Sequence, residues 1–112
     1  MIRTFLETPI FTEKLHAVGG DDLLRSIEDA ILANPEAGAT IAGTSGIRKL
    51  RAPDPSRGKG KRGGLRILYL DLPDRERTYL LYLYGKDEAE DLTADEKKTF
   101  KNLVMQIKGV PR

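Results

Sequence analysis

Two stretches near the middle of the chain, Leu65–Leu72 and Thr78–Tyr84, are almost continuously apolar and are separated by Pro73-Asp74-Arg75-Glu76. Apolar runs of this length, bounded by turn residues, read as two strands joined in an antiparallel hairpin. Strands with so little polar alternation belong at the centre of a sheet, covered on both faces. The rest of the chain is organised around that hairpin.

Ile2 to Leu6 reads as a short opening strand ended by Pro9, and residues 10–18 as a short helix broken by Gly19-Gly20. Asp21 then offers an N-cap, followed by Leu23, Leu24, Ile27, Ala30 and Ile31 at the spacing of one helical face. Asn34-Pro35 closes that helix, because a proline pushes its predecessor out of helical geometry. A Gly- and Ala-rich connection over 35–46 leads to a strand from Ile47 to about Ala52, and Pro53 to Gly64 is a loop. After Gly85 an acidic loop runs into Thr93-Ala-Asp-Glu96, which fits a capping box, and Phe100, Leu103, Val104 and Ile107 form a helical stripe. Gly109 and Pro111 stand where a helix stop is expected. The expectation is one α+β domain over residues 1–112: a small antiparallel-rich sheet of about four strands with helices packed on one side, in the order β-α-α-β-β-β-α.

Composition removes several classes of chemistry. The 112 residues contain no Cys and one His, which excludes disulfides, thiolate nucleophiles, Cys-based zinc sites and multi-His metal motifs. No apolar run approaches the roughly 18 residues of a spanning helix, and the N-terminus lacks the layout of a signal peptide. A soluble cytoplasmic domain is therefore expected. No G-x-x-x-x-G-K-[ST] is present, so the Gly-Lys pairs at 58–61 do not make a nucleotide P-loop. His16 has no nucleophile arranged around it and reads as an ordinary, partly buried histidine.

The charge is segregated. Residues 48–66 carry Arg48, Lys49, Arg51, Arg57, Lys59, Lys61, Arg62 and Arg66 against Asp54 alone, a net +7, whereas residues 87–96 carry six carboxylates and no cation, although the whole chain is only +2. Such a patch concentrates polyanions and speeds their capture. In Gly58-Lys-Gly-Lys-Arg-Gly-Gly64 the glycines allow backbone N–H groups close to phosphate while the side chains neutralise it. Strand periodicity extends the patch: Lys49 with Arg51, Arg66 with Leu68, and Lys86 with Tyr84 each share a strand face. If these faces coincide, they form a cationic floor with phenols at its margin, suited to phosphate backbone and stacked bases.

At these residues the sequence resembles a known family. Gly46-Ile-Arg-Lys-Leu-Arg51 followed by Gly58-Lys-Gly-Lys-Arg-Gly-Gly-Leu-Arg66 and Ile67-Leu-Tyr69 is similar to the RelE superfamily of bacterial type II toxins. Leu83-Tyr-Gly-Lys-Asp-Glu88 and Asp91-Leu-Thr93 resemble its HigB branch, and Asn34-Pro-Glu-Ala-Gly38 fits as well. The resemblance implies a toxin that acts as a ribosome-dependent endoribonuclease on mRNA, with no metal or other cofactor. It also implies a small antitoxin partner with a helix-turn-helix DNA-binding domain. Lys49 and Arg66 sit where the family pattern has a strand lysine and the arginine of a Gly-x-Arg motif. The family's later arginine and C-terminal catalytic tyrosine have no clear match; the corresponding stretch reads Asp87 and Thr93.

Metal-free RNA cleavage needs a base for the 2′-OH proton, a stabiliser for charge on phosphorus and help for the leaving oxygen. On this reading Arg66 stabilises the transition state, Lys49 or Lys86 is the base and Tyr84 is the acid. Arg48, Arg51, Arg57, Lys59, Lys61 and Arg62 hold RNA phosphates of messenger or ribosome. Two other classes fit the same fold: a ParE-like toxin that acts on DNA gyrase without cutting RNA, and a non-catalytic RNA-binding module.

Overall fold

A computed structural model describes residues 2–55, 64–86, 88 and 91–109. The elements are β1 (Thr4–Glu7), α1 (Pro9–Val18), α2 (Gly20–Ala33), β2 (Ala39–Thr40), β3 (Arg48–Ala52), β4 (Leu65–Leu72), β5 (Arg77–Gly85) and α3 (Ala94–Lys108). They form an α+β fold around one five-stranded sheet in the order β1-β5-β4-β3-β2. β1 runs parallel to β5 and every other pairing is antiparallel. No helix among the described residues is long and apolar enough to cross a membrane.

The hairpin foreseen from sequence is the centre of the sheet, and Pro73–Arg75 forms a single 3-10 turn between its strands. Two details differ from expectation. A fifth strand, β2, pairs Ala39 with Lys49 and Thr40 with Arg48. Two small residues carry no periodicity, so this strand left no pattern to read. The helices also cover both faces rather than one. Leu65, Ile67, Tyr69, Leu80 and Leu83 pack under α1 and α2, against Phe11, Leu15, Leu23, Ile27 and Ile31. Leu68, Leu70, Leu81 and Tyr84 pack on the opposite face with Ile47 and Val104, flanked by Phe100, Leu103 and Ile107 of α3. The physical reason lies in β4, whose side chains are apolar in both directions. Burial of one such side chain stabilises by about 1.5–3 kcal/mol. Leaving Leu68 and Leu70 bare would therefore forfeit a large part of a domain's net stability.

Local signals set the helix ends. At α3 the Thr93 side chain accepts the Glu96 N–H at 3.1 Å and the Glu96 carboxylate accepts the Thr93 N–H at 2.8 Å, completing the capping box. Gly109 closes the helix in the left-handed conformation, φ 75°. Arg75, from the hairpin turn, donates to the carbonyls of Ile107 (2.8 Å) and Lys108 (2.9 Å), where the helix dipole favours a cation. The Lys108 ammonium donates to the Ser45 carbonyl at 2.9 Å. α3 is thus fastened at its C-terminal end to the far end of the sheet. α2 starts earlier than expected: its N-cap is Gly19 without a side-chain bond, and Asp21 and Asp22 fall inside the first turn. Beside the hairpin turn, Arg3 grips both oxygens of Asp71, at 2.8 and 3.2 Å, while Thr78 donates to the same carboxylate at 2.7 Å. That clamp ties the approach to β1 across β5 to β4.

Candidate functional site

Register decides which basic residues meet. In β3–β4 Lys49 is opposite Leu68 and Arg51 is opposite Arg66; in β4–β5 Arg66 is opposite Tyr84 and Leu68 is opposite Tyr82. Opposed residues share a face, so Arg51, Arg66 and Tyr84 make one transverse row, with Lys49, Leu68 and Tyr82 in the next. Both rows lie on the α3 side.

Tyr82 and Tyr84 reach that side because of an irregularity. Leu68 pairs with Tyr82 but Tyr69 pairs with Leu80, so Leu81 is an extra residue in β5. Leu80 and Leu83 lie under α1 and α2, while Leu81, Tyr82 and Tyr84 lie toward α3. Strict alternation from Leu80 would have sent Tyr84 to the wrong face. The bulge re-aims it, as bulges beside functional sites commonly do.

The row is open at Arg51, which is exposed, and enclosed at its other two members. Arg66 is 7% exposed and Tyr84 3%. Arg66 lies in the middle strand, flanked by Arg51 and Tyr84, with Nη1 donating to the Leu65 carbonyl at 3.3 Å. The Tyr84 hydroxyl is buried with no hydrogen-bond partner among the described residues. Burial pushes its pKa above the ordinary phenol value, with Asp91 and Glu96 adding to the rise and the Arg66 guanidinium opposing it. The phenol therefore stays protonated through neutral pH and offers a proton rather than taking one. Two guanidiniums directly opposite each other repel, and an anion above them relieves that repulsion. Arg51 and Arg66 are thus a candidate seat for a phosphate.

The remaining cations divide. Lys49 donates from Nζ to Asp91 Oδ1 at 3.1 Å. Lys86 is exposed one residue past the end of β5, with its backbone N–H donating to the Gly64 carbonyl at 2.8 Å. Arg48 belongs elsewhere: it pairs with Tyr69 on the α1/α2 face and donates to the Gly38 carbonyl at 2.8 Å and the Glu36 carboxylate at 3.4 Å. Its neighbour in sequence points to the site, but Arg48 itself holds the 36–38 connection. Arg57, Lys59, Lys61 and Arg62 lie outside the described residues. His16 is exposed rather than partly buried, because the inward positions of α1 are Phe11 and Leu15, and residue 16 is turned about 100° from the latter.

One cation near the row carried no sequence signal. Lys14 of α1 places Nζ 3.0 Å from Glu88 Oε2 and 5.4 Å from the centre of the Tyr82 ring. Tyr82 in turn lies 5.8 Å from both Tyr84 and Phe100, ring centre to ring centre, so α3 covers it. Tyr82 is a packing residue more than an open stacking platform.

No family model matches the chain. A solved structure of the E. coli toxin RelE, a free-state variant with two arginines changed to alanine, is similar over 80% of this chain and 90% of that one, with a TM-score of 0.57 and 13% sequence identity. The likeness is one of fold, and the fold is RelE-like.

Proposed function

We propose that the protein is the toxin of a type II toxin–antitoxin pair, of HigB-like type within the RelE superfamily, and that it cuts mRNA on the ribosome in the cytoplasm without a metal. The observation that carries this reading is the cross-strand pairing of Arg66 with Tyr84, whose buried hydroxyl is without a partner among the described residues. A buried cation beside a buried, protonated phenol suits a reaction that develops negative charge on phosphorus and on a leaving oxygen.

In this reaction the ribose 2′-oxygen attacks the adjacent phosphorus, forming the O2′–P bond as the P–O5′ bond breaks. The products are a 2′,3′-cyclic phosphate and a free 5′-hydroxyl. Arg66, supported by Arg51, stabilises the charge on the phosphoryl oxygens. Tyr84 gives its proton to the departing O5′. The 2′-OH proton goes to a lysine; Lys86 is the better placed, since the Lys49 amine is engaged by Asp91. The cations at 57–62 hold RNA phosphates, and the resemblance to the toxin family supports a helix-turn-helix antitoxin as partner.

Arg66→Ala tests the assignment. With the fold verified by circular dichroism, cleavage of mRNA in a ribosome-programmed reaction should fall about 10²–10³-fold, the usual cost of removing one charge stabiliser. Full cleavage by the folded variant overturns the role of Arg66. Growth arrest with intact mRNA and damaged DNA would instead favour the gyrase class.

A further inference from the structure

The geometry points to Asp91 as an intramolecular stand-in for a substrate phosphate: we infer that it occupies Lys49 until RNA displaces it, and so lowers the affinity of this face for single-stranded RNA. This inference rests on reading the Arg51–Arg66 row as the phosphate-binding face.

Lys49 is one register step from Arg51 and Arg66 and on the same face. Its side chain is mostly covered, at 20% exposure, yet its ammonium is met by a carboxylate whose own side chain is 77% exposed. The anion thus sits on the solvent side of the cation, where an incoming phosphodiester would arrive. Gly85 ends on β5, two strands from β3, and within six residues the chain has brought Asp91 to Lys49. At the β5 side the same connection is held by Glu88, which accepts from Lys14 at 3.0 Å and from the Gly85 N–H at 2.9 Å. Carboxylates of one short connection therefore meet lysines on both flanks of the Tyr82–Tyr84 rows.

Asp91 is not needed to start α3. Thr93 and Glu96 form the capping box between themselves. An ion pair with one partner so exposed is weak enough to exchange. A single phosphate gains little by displacing it, because the released carboxylate stays nearby and repels. A polyanion that offers several phosphates at once, bound by other cations of the patch, overcomes that repulsion. Binding of a single strand is thereby weakened, and that of an isolated phosphate most of all.

The test uses the full chain and a fluorescent ten-nucleotide RNA with 2′-O-methyl groups throughout, which cannot be cleaved. Asp91→Asn keeps an acceptor for Lys49 but removes the charge. It should tighten binding of this probe about three- to tenfold at low salt. The gain should vanish when Lys49→Ala is already present. Asp95→Asn, the same charge change at an exposed position in the first turn of α3, should move affinity by less than twofold. Equal affinity of wild type and Asp91→Asn overturns the inference, as does an undiminished gain in the Lys49→Ala background, or no binding by any variant. A Lys49-dependent gain in a protein whose wild type leaves ribosome-bound mRNA intact would retain the inference and overturn the nuclease reading. Cleavage of ribosome-bound mRNA with no effect of Asp91→Asn would do the reverse.

Discussion

The ring of Tyr69 stands where a side chain at residue 38 would have to go: a Cβ on Gly38 would lie 2.9 Å from Tyr69 Cε1. The hydroxyl of the same ring accepts the Gly38 N–H at 3.0 Å and donates to the Pro35 carbonyl at 2.7 Å. Tyr69 thereby fastens the connection after α2 to the middle of the sheet. Tyr69→Phe leaves two backbone groups unpaired and should cost about 1–3 kcal/mol by denaturant unfolding. Gly38→Ala should also destabilise, because the backbone carbonyl of Lys49 is 2.9 Å from the new carbon and cannot swing aside.

Much of the fold was legible because it rests on local or strongly periodic signals. The hairpin showed as two apolar runs around a proline turn, and α3 as a stripe behind a capping box. Alternation within each strand put Lys49 with Arg51 and Arg66 with Leu68, but their sharing a face with Tyr84 depends on register between strands. What alternation could not show is the extra residue at Leu81, since a bulge changes phase without changing composition. The opposite fate of Arg48 was hidden for a related reason. Its role depends on a carbonyl at Gly38, brought near by a two-residue strand with no pattern of its own. Lys14 and Asp91 come to the rows by tertiary contact alone.

Tyr84→Phe should separate stability from activity. The hydroxyl is buried without a partner among the described residues, so removing it sheds a desolvation cost. The variant should be as stable as wild type or more so by up to about 1 kcal/mol, while mRNA cleavage falls if the phenol supplies the leaving-group proton. Lower melting temperature with unchanged cleavage would make Tyr84 a packing residue only.

Alkaline pH should destabilise the protein through the same group and through Tyr69, both of which burial pushes above the ordinary value of 10.0. Above that value the unfolded phenols lose protons while the folded ones keep them. The unfolded state then binds fewer protons, and stability falls as pH rises. The contribution is fully present below pH 10 and is lost as pH rises from there through the higher folded values. Thermal unfolding from pH 8 to 11 should show a steeper decline for wild type than for Tyr69→Phe combined with Tyr84→Phe.

Neutralising Lys59, Lys61 and Arg62 together should weaken RNA or ribosome association more than the chemical step. Every phosphate that is no longer neutralised takes about 0.7 off the slope of log affinity against log salt for a single strand. The slope should therefore become shallower by up to about 2, while single-turnover cleavage at saturation stays close to wild type. An equal loss at saturation would move these cations into the catalytic group.

An antitoxin that silences this protein should carry an acidic or amphipathic segment and lie over the basic stretch. Residues 48–66 hold a net +7, and complementary charge accelerates capture of a partner that fits it. The carboxylates of 87–96 bias the approach, because Asp91 already neutralises Lys49 and an acidic segment above it would meet like charge. The partner should therefore favour the 48–66 side. Charge reversal at Lys59 and Lys61 should slow association markedly at low salt and flatten its salt dependence, as measured by stopped-flow mixing. Association at the wild-type rate, with the wild-type response to salt, would mean that inhibition works through a distant helix face rather than by covering the cations.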